Sequence, residues 1–154
     1  MIILLIVLCI AADQISKIWI ASNTALHSVM IIRNFFYITY AENTGMAWSM
    51  LSGHQAFFCL AATVAIGVML WYMIYKNPNQ LTKISLALMI AGAAGNLADR
   101  LLLGYVRDFL HFFIFGYDFP IFNIADSCLT VGVILLILAS FLEEKKHEQT
   151  RVEN

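Results

Sequence analysis

Residues Ile84 to Leu103 read ISLALMIAGAAGNLADRLLL, an apolar stretch with Asn96, Asp99 and Arg100 near its end. Its length of about 20 residues is what an α-helix needs to cross a hydrocarbon core of ~30 Å. A charged side chain at that depth is costly unless it is paired or faces a polar cavity, so it marks a candidate functional site. This stretch therefore predicts both a membrane helix and a polar site within it.

Three further apolar stretches have a similar length, at about residues 2–20, 56–75 and 121–142. Hydrophobic residues make up 61% of the 154 residues and charged residues 12%, against about 45–50% and about 25% in soluble domains. We therefore expect an all-α membrane protein, a single domain of four transmembrane helices with the third at 84–103 and a tail at 143–154. The net charge of -1 and the lack of a basic tract argue against a nucleic-acid partner.

The cysteine and histidine residues do not suggest a bound metal. Cys9, Cys59 and Cys128 each lie in an apolar stretch, which favours burial as small hydrophobic side chains over a disulfide framework. The histidines are isolated along the chain and lack metal-ligand spacing. We expect neither a metal site nor an organic cofactor.

The distribution of basic residues predicts the orientation in the membrane. Four spans place both termini on one side, and Lys76 and Lys83 flank the second connection while further basic residues lie in the tail. Because basic loops stay on the inner side, both termini should be cytoplasmic. With a rise of about 1.5 Å per helical residue, Asp13, Asp99 and Asp126 then fall in the outer half of the membrane. Any chemistry should therefore face outward.

Residues 27–53 form the largest piece outside the four apolar stretches. The run from Arg33 to Tyr40 is rich in aromatic and β-branched residues, and Glu42 to Gly45 has turn-forming composition. We expect a small β-hairpin on the outer face, with aromatic side chains that serve as an interfacial belt, as a substrate-contacting platform, or as both. Asp108 would join this face from a short connection that turns around Gly104.

The spacing of the polar residues within the spans indicates which of them pair. Asp13 and Lys17 are four apart on one helix face, which favours a structural ion pair over a catalytic role. Asn96, Asp99 and Arg100 share a face, which favours a positioning network. Small residues four apart just before them allow close helix packing. Asn123 and Asp126 also share a face, and the spacing alone is compatible with an interhelical hydrogen-bond pair.

Taken in order, the polar motifs resemble lipoprotein signal peptidase, also called signal peptidase II, over nearly the whole chain. That family comprises intramembrane aspartyl proteases of bacterial plasma membranes. They remove signal peptides from prolipoproteins after a diacylglyceryl group has been attached to the lipobox cysteine, on whose N-terminal side they cleave. The motifs are Asp13-Gln14-Ile15-Ser16-Lys17, Asn43-Thr44-Gly45, Gly95-Asn96-Leu97-Ala98-Asp99-Arg100, Val106-Arg107-Asp108-Phe109 and Phe122-Asn123-Ile124-Ala125-Asp126.

The resemblance implies a role for each matched residue. It makes Asp108 and Asp126 the catalytic dyad, acting on a prolipoprotein with a diacylglyceryl-cysteine among the membrane lipids. The residues that it implies as supporting or substrate-facing are Asn43, Gly45, Asn96, Arg100 and Asn123, and those that it implies as architectural are Asp13, Lys17 and Asp99.

Two positions depart from the family pattern. Arg107 stands where an apolar residue usually precedes the catalytic aspartate, and Met46 stands where a small residue is common. We expect Arg107 to extend toward the lipid headgroups rather than to turn inward and lower the pKa of Asp108.

The chemistry of paired carboxylates agrees with a peptidase. Two close carboxylates cannot both ionise comfortably, so they share a proton, which suits hydrolysis of a peptide bond. The alternative is a small proton-coupled transporter or lipid-handling protein, which would also place Asp, Asn and Arg within helices. Transporters often contain inverted repeats, and this sequence shows no such internal symmetry. A scaffold subunit would not explain so many carboxylates within the spans.

Overall fold

The computed structural model describes residues 1–45 and 53–153, without the side chains of 147, 148 and 150–153. Met46 and the part of the predicted outer segment at 46–52 lie outside the described residues. The helices are α1 (Ile2–Ser22), α2 (Gln55–Tyr75), α3 (Gln80–Leu103) and α4 (Ile124–Glu153), with a 3-10 turn at Thr24–Leu26. The strands are β1 (Ser28–Ile32), β2 (Phe36–Asn43), β3 (Val106–Ile114) and β4 (Tyr117–Asp118).

Each of the four long helices is long and apolar enough to cross a membrane. The predicted fold, four membrane helices with a small β structure, is therefore confirmed. Two helix starts differ from the sequence prediction for local reasons. Helix α3 begins earlier because the Asn79 side chain accepts the N–H of Thr82 as an N-cap. Helix α4 begins later because Phe122 still bridges to Leu110 on β3. Helix α4 also continues through the predicted tail to Glu153.

The sheet is larger than the predicted hairpin. It is antiparallel with the order β1-β2-β3-β4. The turn between β1 and β2 lies at Arg33–Phe35, whereas Glu42 and Asn43, predicted as part of a turn, still belong to β2. The segment predicted as a short connection after Gly104 is in fact the nine-residue strand β3, which pairs with β2 and carries Asp108. Aromatic and β-branched residues in this segment favour a strand, so the sequence does contain evidence for β3.

Helix α3 is the centre of the bundle and packs against the other three helices. It is the most buried of the spans, whereas α2 buries only Phe58 among its described side chains. Glycines permit the closest approaches: a Cβ atom on Gly92 would lie 2.3 Å from the carbonyl oxygen of Ala125 in α4, and one on Gly95 would lie 2.6 Å from the Asp13 carboxylate. The predicted close packing at small residues is confirmed. Cys128 is buried, Cys9 and Cys59 are half-buried, and all three are free thiols.

The substitution Gly92→Ala should destabilise the bundle. The new methyl group would overlap the backbone of α4, and overpacking of this kind costs ~1–3 kcal/mol. The matched control is Gly67→Ala on α2, where a Cβ atom would meet nothing within 4 Å and the loss of backbone freedom should stabilise the helix by ~0.5–1 kcal/mol. Thermal unfolding of both variants in detergent micelles would measure the difference in stability. Equal melting temperatures for the two variants would contradict the close packing of Gly92 against α4.

Candidate active site

Asp108 and Asp126 line the same cleft of about 600 Å³ at the sheet end of the bundle. Asp108 is the third residue of β3 and is 2% exposed, whereas Asp126 lies in the first turn of α4 and is partly exposed. The structure therefore brings together the two carboxylates that the motifs singled out. The cleft is lined by Asn43, Gly45, Asn96, Arg100, Val106, Asp108, Phe119, Pro120, Ile121, Phe122, Asp126, Ser127, Thr130 and Val131.

Asn123 holds both carboxylates at once. Its Nδ2 donates to Asp108 Oδ1 at 2.6 Å, while its Oδ1 accepts the backbone N–H of Asp126 at 2.9 Å. In return, the backbone N–H of Asn123 donates to Asp126 Oδ2 at 3.1 Å. This reciprocal arrangement is a helix N-cap, so the pairing lies within one turn of α4 and is not interhelical. The bond of Asn123 to another helix goes instead to Asn96 on α3, whose Oδ1 accepts from Asn123 Nδ2 at 3.1 Å. Asn123 is fully buried.

Two further amides complete the contacts of the carboxylates. Asn43 Nδ2, at the end of β2, donates to Asp108 Oδ2 at 2.9 Å, and its Oδ1 accepts the backbone N–H of Gly45. Asn96 Nδ2, on α3, donates to Asp126 Oδ1 at 2.7 Å. Each oxygen of both carboxylates thus accepts a hydrogen bond from an amide group. The donors lie on β2, on α3 and at the start of α4, so three elements of the fold fix the positions of the two carboxylates.

The environment of Asp108 favours its protonated form. Burial raises the pKa of Asp108 to about 7, and the nearby Asp126 carboxylate acts in the same direction. The hydrogen bonds from Asn43 and Asn123 and the charge of Lys17 oppose this rise without cancelling it. At neutral pH this carboxyl can therefore hold a proton while remaining ready to release it, which is the property that acid–base catalysis requires.

A buried ionic cluster lies beneath the two carboxylates. Lys17 Nζ is 2.9 Å from Asp13 Oδ2, 3.5 Å from Asp99 Oδ2 and 3.0 Å from Asn96 Oδ1. The side chains of Lys17, Asp13 and Asp99 are at most 1% exposed. The predicted Asp13–Lys17 ion pair is present, and Asp13 Oδ1 also accepts the backbone N–H of Ala125 at 2.9 Å. The cluster therefore ties α1 and α3 to the first turn of α4.

The prediction that Arg107 extends toward the headgroups is wrong. The residue is 8% exposed and its Nη2 lies 2.6 Å from Asp99 Oδ1. Its Nε and backbone N–H both donate to Asp99 Oδ2, at 3.2 and 2.9 Å, and Nη2 also donates to Gln14 Oε1. Strand β3 folds back beside the end of α3, where a carboxylate is available, and so the guanidinium pairs there and not with Asp108.

Gln14 is a part of this network that the sequence analysis did not single out. Its Nε2 donates to Asp13, to the Gly95 carbonyl at 3.1 Å and to Asp99 Oδ1 at 3.2 Å, while its Oε1 accepts from Arg107. The position of a polar glutamine between Asp13 and Lys17, on a largely apolar helix, could have indicated this role from the sequence.

The three polar residues near the end of α3 serve different parts of the site. Asn96 contacts Asp126, Asp99 joins the ionic cluster, and Arg100 points into the cleft. Arg100 Nη2 donates to the Gly45 carbonyl at 3.2 Å, and its guanidinium lies 5.0 Å from the ring centre of Phe58. Within the described residues, its buried Nε has no hydrogen-bond partner. Asn96 and Asp99 therefore share the contact with Lys17, whereas Arg100 makes its contacts at the cleft.

Metal-binding side chains are not clustered in the part of the chain that the structure describes. In residues 1–45 and 53–153, apart from the few undescribed side chains, no group of three or more His, Cys, Asp or Glu side chains is placed to hold a metal ion. His111 Nε2 lies 2.6 Å from Asp118 Oδ1, and its Nδ1 is 3.0 Å from Thr39 Oγ1. His27 stacks on Tyr40. These two histidines thus contact the sheet and lie outside the cleft lining.

The profile of the family described as signal peptidase (SPase) II matches residues 5–142. The chain belongs to the signal peptidase II family. This membership favours the peptidase over the transporter that the sequence analysis considered. It also accounts for the order of the polar motifs along the chain.

Known proteins similar to this chain align with most of its length. The lipoprotein signal peptidase of Bacillus subtilis (strain 168) is 45% identical over 146 residues, 92% of this chain and 95% of that protein. That of Staphylococcus carnosus (strain TM300) is 43% identical over 136 residues, 87% of this chain and 86% of that protein. A bacterial membrane enzyme solved in meso at 2.3 Å has a TM-score of 0.88 at 40% identity, covering 94% of this chain and 90% of that one. A second, at 1.9 Å, has a TM-score of 0.82 at 42% identity and covers 90% of each chain.

The protein should lose stability as the pH rises from about 4 to about 7. In the unfolded chain Asp108 releases its proton near its ordinary pKa of 3.8, whereas the folded protein retains it until about 7. The folded state therefore binds more protons in this window, so the free energy of unfolding falls with pH. Asp108→Asn should reduce the slope by up to ~1.4 kcal/mol per pH unit.

Thermal unfolding in detergent across this pH range would measure the slope. Glu144→Gln, which neutralises an exposed carboxylate on α4, should keep the slope of the unsubstituted protein. An unchanged slope in Asp108→Asn would show that this carboxyl is not the group whose pKa is raised.

Proposed function

We propose that this chain is an aspartic endopeptidase that removes signal peptides from diacylglyceryl-modified prolipoproteins. It cleaves on the N-terminal side of the lipid-modified cysteine. The observation that carries the proposal is that Asp108 and Asp126 line one cleft and that one buried residue, Asn123, donates to both carboxylates, from its side-chain amide to Asp108 and from its backbone N–H to Asp126. Membership in the signal peptidase II family and the similarity to two lipoprotein signal peptidases support the substrate class.

The surroundings of the two carboxylates support different protonation states. Asp126 lies in the first turn of α4, where the helix dipole favours a negative charge, and it accepts the backbone N–H of Asn123. Asp108 is 2% exposed and its pKa is raised to about 7. We therefore assign the ionised carboxylate to Asp126 and the shared proton to Asp108 before substrate binds.

The total charge of the site agrees with one shared proton. Four carboxylates belong to the site and the cluster beneath it, and three basic side chains lie among them. A single proton on the dyad makes the set neutral, and a neutral set is the least costly to keep at membrane depth. The carboxylates are those of Asp13, Asp99, Asp108 and Asp126, and the basic side chains are those of Lys17, Arg100 and Arg107.

The proposed reaction is the hydrolysis of one peptide bond. Asp126 takes a proton from a water molecule as the water oxygen attacks the scissile carbonyl carbon, while Asp108 donates its proton to the carbonyl oxygen. The tetrahedral intermediate then collapses as the C–N bond breaks. The proton held by Asp126 passes to the leaving nitrogen of the cysteine, and the proton on the former carbonyl oxygen returns to Asp108. Amide donors from Asn43, Asn96 and Asn123 keep both carboxylates in place throughout.

The shape of the cleft supports entry of a lipid-anchored substrate from the bilayer. Thr130 and Val131 line the cleft one turn beyond Asp126, and both are exposed on the surface of α4. The cleft is therefore continuous with a helix surface that contacts acyl chains. A diacylglyceryl group lying along this surface would bring the adjoining peptide to the dyad.

The proposed location is a bacterial plasma membrane with both termini in the cytoplasm. Lys76 and Lys83, at the end of the bundle opposite the sheet, support this orientation because basic loops remain inside. The dyad and the sheet then face the outer side of the membrane.

Asp108→Asn and Asp126→Asn should each abolish cleavage while the protein remains folded. An amide can neither ionise as a base nor share the proton, and loss of acid–base catalysis reduces rates by ~10²–10⁴-fold or more. Purified variants in detergent would be tested on a diacylglyceryl-modified prolipoprotein, with thermal unfolding as the measure of folding. Asp118→Asn, at a 69% exposed carboxylate on β4, should cleave normally. Near-normal turnover in a well-folded variant at 108 or 126 would refute the dyad.

Removal of the diacylglyceryl group should slow cleavage far more than it weakens membrane association. Acyl chains contribute ~0.8 kcal/mol per buried CH₂ to association, but the precursor retains its own apolar signal helix. The group is therefore expected to act by positioning the peptide at the dyad. One precursor, with and without the group, would be reconstituted with the protein at equal surface density. Equal rates would indicate a peptidase that does not recognise the lipid.

A further inference from the structure

The turn between β3 and β4 exposes an apolar tip, Ile114–Tyr117. Ile114 pairs with Tyr117, so Phe115 and Gly116 form the turn itself. The Phe115 side chain is fully exposed, and the side chains of Ile114 and Tyr117 are 41% and 57% exposed. The tip contains no charged residue. Phe115 therefore offers its whole ring to the surroundings at the end of β3 opposite Asp108.

The backbone of this tip is unfavourable for phenylalanine. Phe115 has φ 52° and Gly116 has φ 81°. A two-residue hairpin turn with positive φ at both positions strongly prefers Asn-Gly or Asp-Gly, and a bulky residue at the first position is strained. The three-residue β1–β2 turn of the same sheet places an asparagine, Asn34, at its positive φ of 58°, and asparagine tolerates this conformation better than phenylalanine does. Strain of this kind persists where a contact requires it.

The position of the tip points to the bilayer as the partner. The link from β4 to α4 contains Phe119 and Pro120, which line the cleft together with Val131 on the lipid-facing surface of α4. A short link thus joins the tip to the end of a membrane span. Aromatic side chains are enriched where membrane helices meet the headgroups. A protein interface needs ~800 Å² from each partner, which a four-residue tip with two aromatic rings of ~150–250 Å² each does not reach.

We infer that the tip Ile114–Tyr117 inserts into the interface of the same bilayer and forms a second membrane anchor beside the four spans. The strained Phe115 is retained because its ring replaces water contacts with acyl-chain contacts. The anchor keeps the link at Phe119 and Pro120, one wall of the cleft, at a fixed depth. The membrane contact of the tip does not depend on the proposed cleavage.

Spin labels at two matched turns would test the insertion. In a chain with Cys9, Cys59 and Cys128 replaced by alanine, nitroxide labels would be attached at Tyr117→Cys or at Asn34→Cys. The protein would be reconstituted in nanodiscs of phosphatidylethanolamine and phosphatidylglycerol. Molecular oxygen concentrates in the bilayer, whereas a water-soluble nickel chelate stays in the aqueous phase. Their relative effects on the spin relaxation of a label therefore report the depth of that label.

Insertion predicts a label at position 117 that is several-fold more accessible to oxygen than to nickel. Adding Phe115→Asn should shift the label at 117 to the aqueous pattern and leave the label at 34 unchanged. An aqueous pattern at 117 with Phe115 intact would overturn the inference. Protection of position 117 from both reagents would also overturn it, because the tip would then be covered by protein, such as a second copy of this chain.

Discussion

The buried ammonium group of Lys17 holds the bundle together at the depth where the site lies. Taking a charge out of water costs several kcal/mol, and only good geometry with opposite charges offsets that cost. Asp13 and Asp99 supply the charges from two different helices, and Asn96 supplies a further acceptor. Since Asp13 also accepts the Ala125 N–H at the start of α4, one cation determines how three helices meet.

The site is built on amide side chains placed between charged ones. Asn96 accepts from Lys17 and donates to Asp126, and so it connects the ionic cluster to the candidate dyad without adding charge. Asn123 connects Asp108 to the first turn of α4, also without adding charge. An amide both donates and accepts, so it can face a cation on one side and a carboxylate on the other. In this way the carboxylates are oriented by neutral groups while Asp108 stays readily protonated.

Much of this arrangement could be predicted from the sequence because it is local. The spans follow from length and composition, and the Asp13–Lys17 pair follows from spacing along one helix. The composition of β3 favours a strand, but its pairing with β2 joins segments far apart in the chain and could not be predicted from the sequence. The inward turn of Arg107 was missed for the same reason, since it depends on the position of Asp99 relative to a strand that was not predicted. The double role of Asn123 likewise depends on tertiary structure.

The order of the elements along the chain has a consequence for biosynthesis. Asn123 and Asp126 belong to the last span, whereas Lys17, Asp99 and Asp108 are synthesised before it. The early spans can pair their charges as they enter the membrane. The second carboxylate of the cleft and the residue that caps its helix arrive only with the final span. A partly synthesised chain that has not yet inserted α4 therefore lacks one of the two carboxylates of the cleft, together with the residue that orients it.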